Sequence, residues 1–245
     1  MTSLRRFYAA PEAFQGDKVL LDAEESHHLI RVMRLGPGAR VIVCDGRGRQ
    51  AEAQVHKLEQ NAAILKVVRE LPLSGESPLS ITLGIGLAKG EALDTVIRQA
   101  TEMGVKTIIP FTSAYSEKID TARADRRLTR WRRLARESLK SCQRACLPEI
   151  ASVREFAGVL PGPENAKVIF WEGQRAGGLT DQIEGPRPAA ARVLIGPEGG
   201  FAPEEVAEAR QDGYLVASLG PRRLKVETAA LAALSIVQFA WGDLA

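Results

Sequence analysis

Hydrophobic and polar residues follow different patterns before and after residue 72. Before it, short runs alternate between apolar and polar positions, as expected of strands that bury one face. The turn sequences DGRG and EQN separate these runs. The alternation predicts a small antiparallel barrel or sheet with strands at Arg40–Cys44, Gln50–Leu58 and Ala62–Val68.

A short helix and a linker complete this first region. The helix is predicted over Ala23–Arg34, where Asp22 and Glu25 have the spacing of a capping pair. Leu71–Pro78 (LPLSGESP) contains proline, glycine and serine without periodicity, which is typical of a linker. We therefore predict two domains, residues 1–72 and residues 73–245.

After the linker, apolar runs of strand length alternate with segments of helical periodicity. Such alternation predicts an α/β domain in which helices cover a mostly parallel sheet. Strands are predicted at Leu79–Leu87, Val105–Pro110, Lys167–Trp171, Arg192–Ile195 and Tyr214–Leu219. Helices are predicted at Ala92–Met103, around Leu128–Leu139, at Pro203–Gln211 and at Thr228–Trp241.

Composition narrows the class of protein. The 245 residues are 45% hydrophobic and 26% charged, which indicates a globular protein without a membrane-length apolar stretch. No signal peptide is visible, and three cysteines cannot all pair, so we expect a cytoplasmic protein. Cys142 and Cys146 lack metal-ligand spacing, and no metal site is expected.

Positive charge is concentrated in one segment. The net charge is only +3, but nine arginines and lysines lie between Arg123 and Arg144 against two acidic residues. A local field of this kind favours phosphate, and Arg126 and Arg130 are candidates for contacts to it. The alternative is that these side chains are simply solvated.

The sequence LIGPEGGF, at Leu194–Phe201, suggests a ligand loop. It follows a predicted strand and precedes a helix, and ligands of α/β sheets bind at the carboxyl ends of strands. Glycine permits close approach of the backbone. A plain tight turn is the alternative, and the spacing matches neither a dinucleotide fingerprint nor a P-loop.

Two further loops follow predicted strands in the same way. One is FWEG at Phe170–Gly173, and the other opens LGPRRLKVETAAL at Leu219–Leu231. Loops at neighbouring strand ends could enclose one small molecule. The basic residues Arg222, Arg223 and Lys225, considered alone, are more typical of a solvated loop.

VLIGPEGGF followed by LGPRRLKVETAAL resembles the bacterial ribosomal RNA small-subunit methyltransferase E family, which belongs to the knotted SPOUT class. The resemblance spans nearly the whole chain in the right order. It includes Arg5-Arg6-Phe7, HLIRVMR, IRQATEMGVKTIIP and ESLKSCQRACLPEI.

The resemblance implies a small PUA-like N-terminal β-barrel that binds RNA and a C-terminal α/β SPOUT domain with a trefoil knot. It also implies a homodimer that methylates uridine N3 in the decoding region of 16S rRNA in the small ribosomal subunit. S-adenosyl-L-methionine would be the methyl donor. The alternatives are a related methyltransferase acting on ribose 2′-oxygen or a tRNA base, and a non-catalytic RNA-binding or ribosome-assembly factor.

One residue and one three-residue segment depart from the family pattern. Lys225 occupies a position where arginine is usual, which keeps the charge but loses the planar fork of a guanidinium. Ser141-Cys142-Gln143 replaces the common Gln-Ser-Gly before Arg144.

The resemblance and the loops together assign candidate residues to three roles. For stabilising or deprotonating the uridine we expect Arg144, Lys225 and Glu227, with helix capping as the favoured alternative for Glu227. RNA contacts are expected from Arg5, Arg6, His28, Arg31, Arg34, Arg126 and Arg130. Contacts to the donor are expected from Phe170, Trp171, Glu172, Gly173, Ile195, Gly196, Pro197, Glu198, Gly199, Gly200, Leu219, Gly220, Leu224 and Thr228.

Overall fold

The computed structural model describes residues 4–59, 62–174, 177–183 and 185–244. The chain divides into two compact units. The first unit contains the chain up to Glu76 together with Arg136–Leu147, and the second contains Ser77–Ala135 and Pro148–Ala245. Residues 136–147 thus belong to the first unit, although they are remote from it in sequence. The domain boundary between residues 72 and 73 stays a prediction.

The first unit is built on a six-stranded sheet with the order β1-β4-β5-β6-β3-β2. The predicted antiparallel pairing holds except between β1 and β4, which run parallel. The strand β1 is only three residues long, so it shows no alternation that would have predicted its partner. The strands are β1 Arg6–Tyr8, β2 Phe14–Gln15, β3 Lys18–Leu20, β4 Arg40–Cys44, β5 Gln50–Leu58 and β6 Ala63–Leu71.

The predicted helix over Ala23–Arg34 is shorter and changes geometry along its length. The α-helix α1 covers Ala23–His27, and its N-terminal N–H at Glu25 donates to the Asp22 carboxylate at 2.8 Å. His28–Val32 then adopts a wider π-helical turn. The capping prediction is confirmed for Asp22, whereas the Glu25 carboxylate accepts the N–H of Tyr8 instead.

The second unit contains a seven-stranded sheet in which every described strand pair is parallel, which confirms the predicted sheet type. The strand order is β10-β8-β7-β12-β11-β13, and β9 also pairs with β8. The trefoil knot stays a prediction. The strands are β7 Ser80–Gly86, β8 Thr107–Thr112, β9 Glu149–Ile150, β10 Arg154–Glu155, β11 Ala166–Phe170, β12 Ala190–Ile195 and β13 Leu215–Ala217.

Four longer helices follow the predicted periodicity. The helix α3 buries Trp131 and Leu134, and the Trp131 indole N–H donates to Asp94 at 3.1 Å. Gly104, which follows α2, has the positive φ of +80° expected of a helix-ending glycine. Among the described residues, no helix is long and apolar enough to cross a membrane. The helices are α2 Ala92–Glu102, α3 Thr121–Cys142, α4 Pro203–Gln211 and α5 Val226–Trp241.

A buried ion pair fixes the central strand β12 near its start. The Arg192 guanidinium donates to both oxygens of Glu164, at 3.0 and 3.2 Å, and to the carbonyl of Val159 at 2.6 Å. Burial alone would raise the pKa of Glu164, but hydrogen bonds from Arg192 and Thr82 hold that pKa below its usual value. The carboxylate is therefore kept ionised inside the unit.

Candidate functional site

Three loops meet at one edge of the parallel sheet of the second unit. The strands β12, β11 and β13 are neighbours, and their last residues are in register, with Phe170 paired to Ile195 and to Ala217. Because all three strands run in the same direction, the loops that follow them emerge side by side. The structure thus brings together the three loops that the sequence identified.

These loops enclose a cavity with about 800 Å³ of space, part of it open to solvent. Twelve of the fourteen residues expected to contact the donor line it. They are Phe170, Trp171, Glu172, Ile195, Gly196, Pro197, Glu198, Gly199, Gly200, Leu219, Gly220 and Leu224. Four further residues that were not predicted also line the cavity, namely Arg222, Arg223, Val226 and Ala229.

Gly173 and Thr228 are not among the residues that line this cavity, and contact of either with the donor stays a prediction. A Cβ at Gly173 would collide with the Trp171 indole, so this glycine is needed to let the ring pack. Thr228 lies in the first turn of α5 with its side chain exposed. The inward-facing positions of that turn are Val226 and Ala229, three residues apart on the helix surface.

The glycines of GPEGG are required by the packing of the chain itself. Gly200 has φ +73°, and a Cβ there would collide with the Glu172 carboxylate. A Cβ at Gly199 would lie 2.5 Å from the Cβ of Tyr115. Close approach of a ligand is therefore not the only reason for these glycines. Gly86, at the end of β7, likewise leaves room for Pro197.

The acidic residues near the loop fix its shape. Glu198 accepts the backbone N–H of Lys89 at 2.7 Å, which ties the tip of GPEGG to the loop after β7. Glu205, in the first turn of α4, accepts the N–H groups of Ala202 and Ala114, both at 2.8 Å. These bonds hold the loop backbone in place before any ligand binds, so the site is preorganised.

The lining combines apolar side chains with backbone donors. Ile195, Leu224 and Val226 supply apolar surface that suits a flat ring. Within the described ranges, the N–H groups of Glu198, Gly199 and Leu224 donate no hydrogen bond. The N-terminus of α5 adds the positive end of a helix dipole, which favours a carboxylate. The residues present therefore fit a nucleoside joined to an amino acid.

The candidate catalytic residues lie in different surroundings. The Arg144 guanidinium is 3% exposed and donates to Glu76 at 2.8 and 3.1 Å within the first unit. Lys225 is exposed and caps α5 without a side-chain hydrogen bond. Glu227 is half-buried in the first turn of α5, where a carboxylate is favoured by the helix dipole.

The candidate RNA-contacting residues of the first unit differ in exposure and in the contacts that their side chains make. Arg5, Arg31 and Arg34 are exposed. Arg6 is half-buried and donates to Gln50 at 2.8 Å and to the carbonyl of Arg144 at 3.2 Å. The remaining candidate, His28, packs the edge of its ring against Phe7, with 5.9 Å between ring centroids.

The two candidates on α3 are not equivalent. Arg126 is exposed, and among the described residues it forms no ion pair. Arg130 is also exposed but pairs with Asp94 and with Glu91, the latter at 3.0 Å. The negative charge of Asp94 is the largest of the influences that raise the pKa of the Arg130 guanidinium. The two arginines therefore differ in their surroundings, because Arg130 forms an internal ion pair, and the RNA contacts of both stay predictions.

Two family models match two successive parts of the chain. A family model described as an RNA methyltransferase domain matches residues 75–238. A model described as an RNA methyltransferase PUA domain matches residues 21–68. The first of these covers well over half of the chain.

Individual relatives agree with the family models. The chain is 30% identical over 227 residues to the ribosomal RNA small subunit methyltransferase E of Bacillus subtilis, with 89% of each chain covered. It is 31% identical to the corresponding Synechocystis protein, covering 94% of this chain and 76% of that one.

A solved structure extends the agreement to the fold. The ribosomal RNA small subunit methyltransferase E of Neisseria gonorrhoeae, bound to S-adenosyl methionine, matches with a TM-score of 0.90 and 29% identity. The match covers 99% of this chain and 100% of that one. The chain belongs to the ribosomal RNA small subunit methyltransferase E family.

Proposed function

We propose that this protein transfers the methyl group of S-adenosyl-L-methionine to N3 of a uridine in 16S rRNA of the small ribosomal subunit. The observation that carries the proposal is the cavity at the ends of β11, β12 and β13, with its unpaired backbone donors. The family membership supports the same reaction class. The proposal includes that the protein acts as a homodimer in the cytoplasm, as the family resemblance implies.

The loops provide binding and orientation for the donor. The N–H groups of Glu198, Gly199 and Leu224 are available to its polar atoms, and Ile195 and Val226 are available to its adenine. When bound, the donor supplies an activated methyl group on a sulfonium. The protein must therefore position the acceptor and exclude water rather than create a reactive centre.

The acceptor nitrogen requires help from a cation. Uridine N3 is a poor nucleophile until it loses its proton, and the resulting negative charge spreads over the two base oxygens. A positive charge beside those oxygens stabilises the anion. We assign this role to Lys225, because its neighbours Leu224 and Val226 both line the cavity. Arg144 is occupied by Glu76 and instead holds its own segment in position.

Radiolabelled methyl transfer tests the proposal. Incubation of the protein with labelled S-adenosyl-L-methionine and small-subunit rRNA should label the RNA. Lys225→Met should lower the rate by about 100-fold while donor affinity stays within about twofold, since the loss of one stabilising group in the transition state has this size. Donor binding without any transfer to rRNA or to assembled subunits would contradict the proposal and favour a non-catalytic assembly factor.

A further inference from the structure

The first unit contains a cleft that is separate from the donor cavity. It holds about 1060 Å³ of space, part of it open to solvent, and every residue that lines it belongs to the first unit. Phe7 and Ile42 contribute apolar surface to it. The polar and charged residues of its lining are Arg5, Arg6, His28, Glu137, Lys140, Ser141 and Gln143.

Positive charge exceeds negative charge in this cleft. Three cationic side chains and one carboxylate, that of Glu137, face it. Lys140 is held by Glu25, and Arg6 is held by Gln50, so these two have fixed positions. Arg5 is exposed and makes no ion pair within the described part of the chain. The cleft thus combines two positioned cations with one that is available to a phosphate.

Gln143 has an unusual backbone conformation at the edge of the cleft. It follows the last residue of α3, Cys142, and has φ +66°. Helices commonly end with a residue in this left-handed region, and glycine is the residue that adopts it without strain. A glutamine there costs stability that a glycine would not cost.

A binding role for the Gln143 side chain explains why a strained glutamine occupies this position. It is exposed and lines the cleft, and among the described residues its amide makes no hydrogen bond. A glutamine amide presents a donor and an acceptor together, which matches the edge of a nucleobase. Strained residues of this kind concentrate at ligand sites.

We propose that this cleft binds one unpaired nucleotide of the RNA, with Arg5 at its phosphate and the Gln143 amide at the edge of its base. The proposal rests on the RNA substrate of the proposed function. An unpaired nucleotide is required because the major groove of an RNA duplex is too deep and narrow for side chains to reach the base edges there.

Two substitutions at Gln143 separate its recognition role from its backbone strain. Gln143→Gly removes both the amide and the strain, so it should raise the midpoint of thermal unfolding by about 2–4 °C. Gln143→Ala removes the amide and keeps the strain, so the midpoint should stay unchanged. Both should weaken binding of a fluorescein-labelled, uridine-containing single-stranded RNA by about tenfold in fluorescence anisotropy.

The controls distinguish this inference from the proposed function. Gln15→Ala removes an exposed amide from β2 of the same unit and should leave RNA affinity unchanged. A duplex of the same sequence should bind equally to the wild type and to both Gln143 variants. If the wild type binds RNA and both variants bind the single strand equally well, the cleft is not a nucleotide site. If the wild type does not bind the single strand either, this inference fails, whereas the proposed function is decided separately by methyl transfer to rRNA and to assembled subunits.

Discussion

The donor cavity of the second unit and the cleft of the first unit differ in the chemical groups that line them. The cavity is formed by glycine-rich loops that offer backbone N–H groups without hydrogen-bond partners, beside the charged residues Glu172, Arg222 and Arg223. The cleft is formed by long charged and amide side chains on a strand, a π-helical turn and the end of α3. Substitutions that alter backbone geometry should therefore weaken binding most in the cavity. Substitutions that alter side-chain chemistry should weaken binding most in the cleft.

The largest expected effect is in the cavity. Gly199→Val should lower the affinity for S-adenosyl-L-methionine by at least about 100-fold, since loss of two or three backbone contacts has that size. The physical reason is that the new side chain would displace Tyr115 or the loop itself. Isothermal titration calorimetry measures the affinity directly.

The matched control is Gly36→Val in the first unit. A Cβ at Gly36 meets nothing within 4 Å, and its φ is ordinary, so donor affinity should not change. Undiminished binding by the Gly199 variant would show that the shape of GPEGG does not determine donor binding.

The next largest effect is expected for the buried ion pair between Arg192 and Glu164, which supports the strand β12 below the cavity. Glu164→Gln should lower the free energy of unfolding by about 3 kcal/mol, because it leaves the Arg192 guanidinium buried without its partner charge. Donor affinity should stay near the wild-type value, because the pair lies at the start of β12 and the cavity at its end. Urea denaturation together with calorimetry measures both quantities.

The same pair should depend on pH in a defined direction. The pKa of Glu164 is lower in the folded protein than in the unfolded chain, so its stabilisation is complete above the ordinary carboxyl pKa. It is lost as the pH falls through the lower, folded-state pKa. The stability difference between wild type and variant should therefore narrow in acid, and a constant difference would contradict the ion-pair explanation.

A smaller effect is expected on the surface of α3. Arg126→Glu should lower RNA affinity by about fivefold and reduce the slope of log affinity against log salt by about one. Arg130→Glu should mainly lower thermal stability, because it replaces the pair with Asp94 by a repulsion. Salt titrations of RNA binding and thermal unfolding separate these outcomes, and equal effects of the two changes on RNA would contradict the distinction.

The smallest effect is expected at Glu227. As a carboxylate in the first turn of α5, it should contribute about 0.5 kcal/mol through the helix dipole. Glu227→Gln should therefore keep its donor affinity and most of its methyl-transfer rate. A variant of normal stability and donor affinity that has lost turnover would identify Glu227 as the base.

The sequence predicted the cavity well because its signals are local. Glycine clusters that follow apolar runs, such as Gly196–Gly200, mark loops at strand ends, and parallel pairing then places these loops together. Features that depend on contacts between residues distant in sequence could not be predicted. Gly86 gives no sign in the sequence that it makes room for Pro197, and Gly173 gives no sign that it accommodates the Trp171 ring.

The first unit was less predictable for the same reason. The strand β1 has too few residues to show a period, and each of its residues pairs with a residue of β4 that is 36 positions further along the chain. Nothing in the periodicity of α3 indicates that residues from Arg136 onward belong to the first unit. The left-handed conformation of Gln143 is likewise invisible in sequence, because it depends on where the helix ends.

Mass spectrometry of nucleosides is the most direct test of the central claim. Small-subunit rRNA treated with the protein and S-adenosyl-L-methionine should yield 3-methyluridine after digestion, and the Gly199→Val variant should yield none. A product methylated on the ribose 2′-oxygen, or no methylated nucleoside from either naked rRNA or assembled subunits, would contradict the proposed reaction.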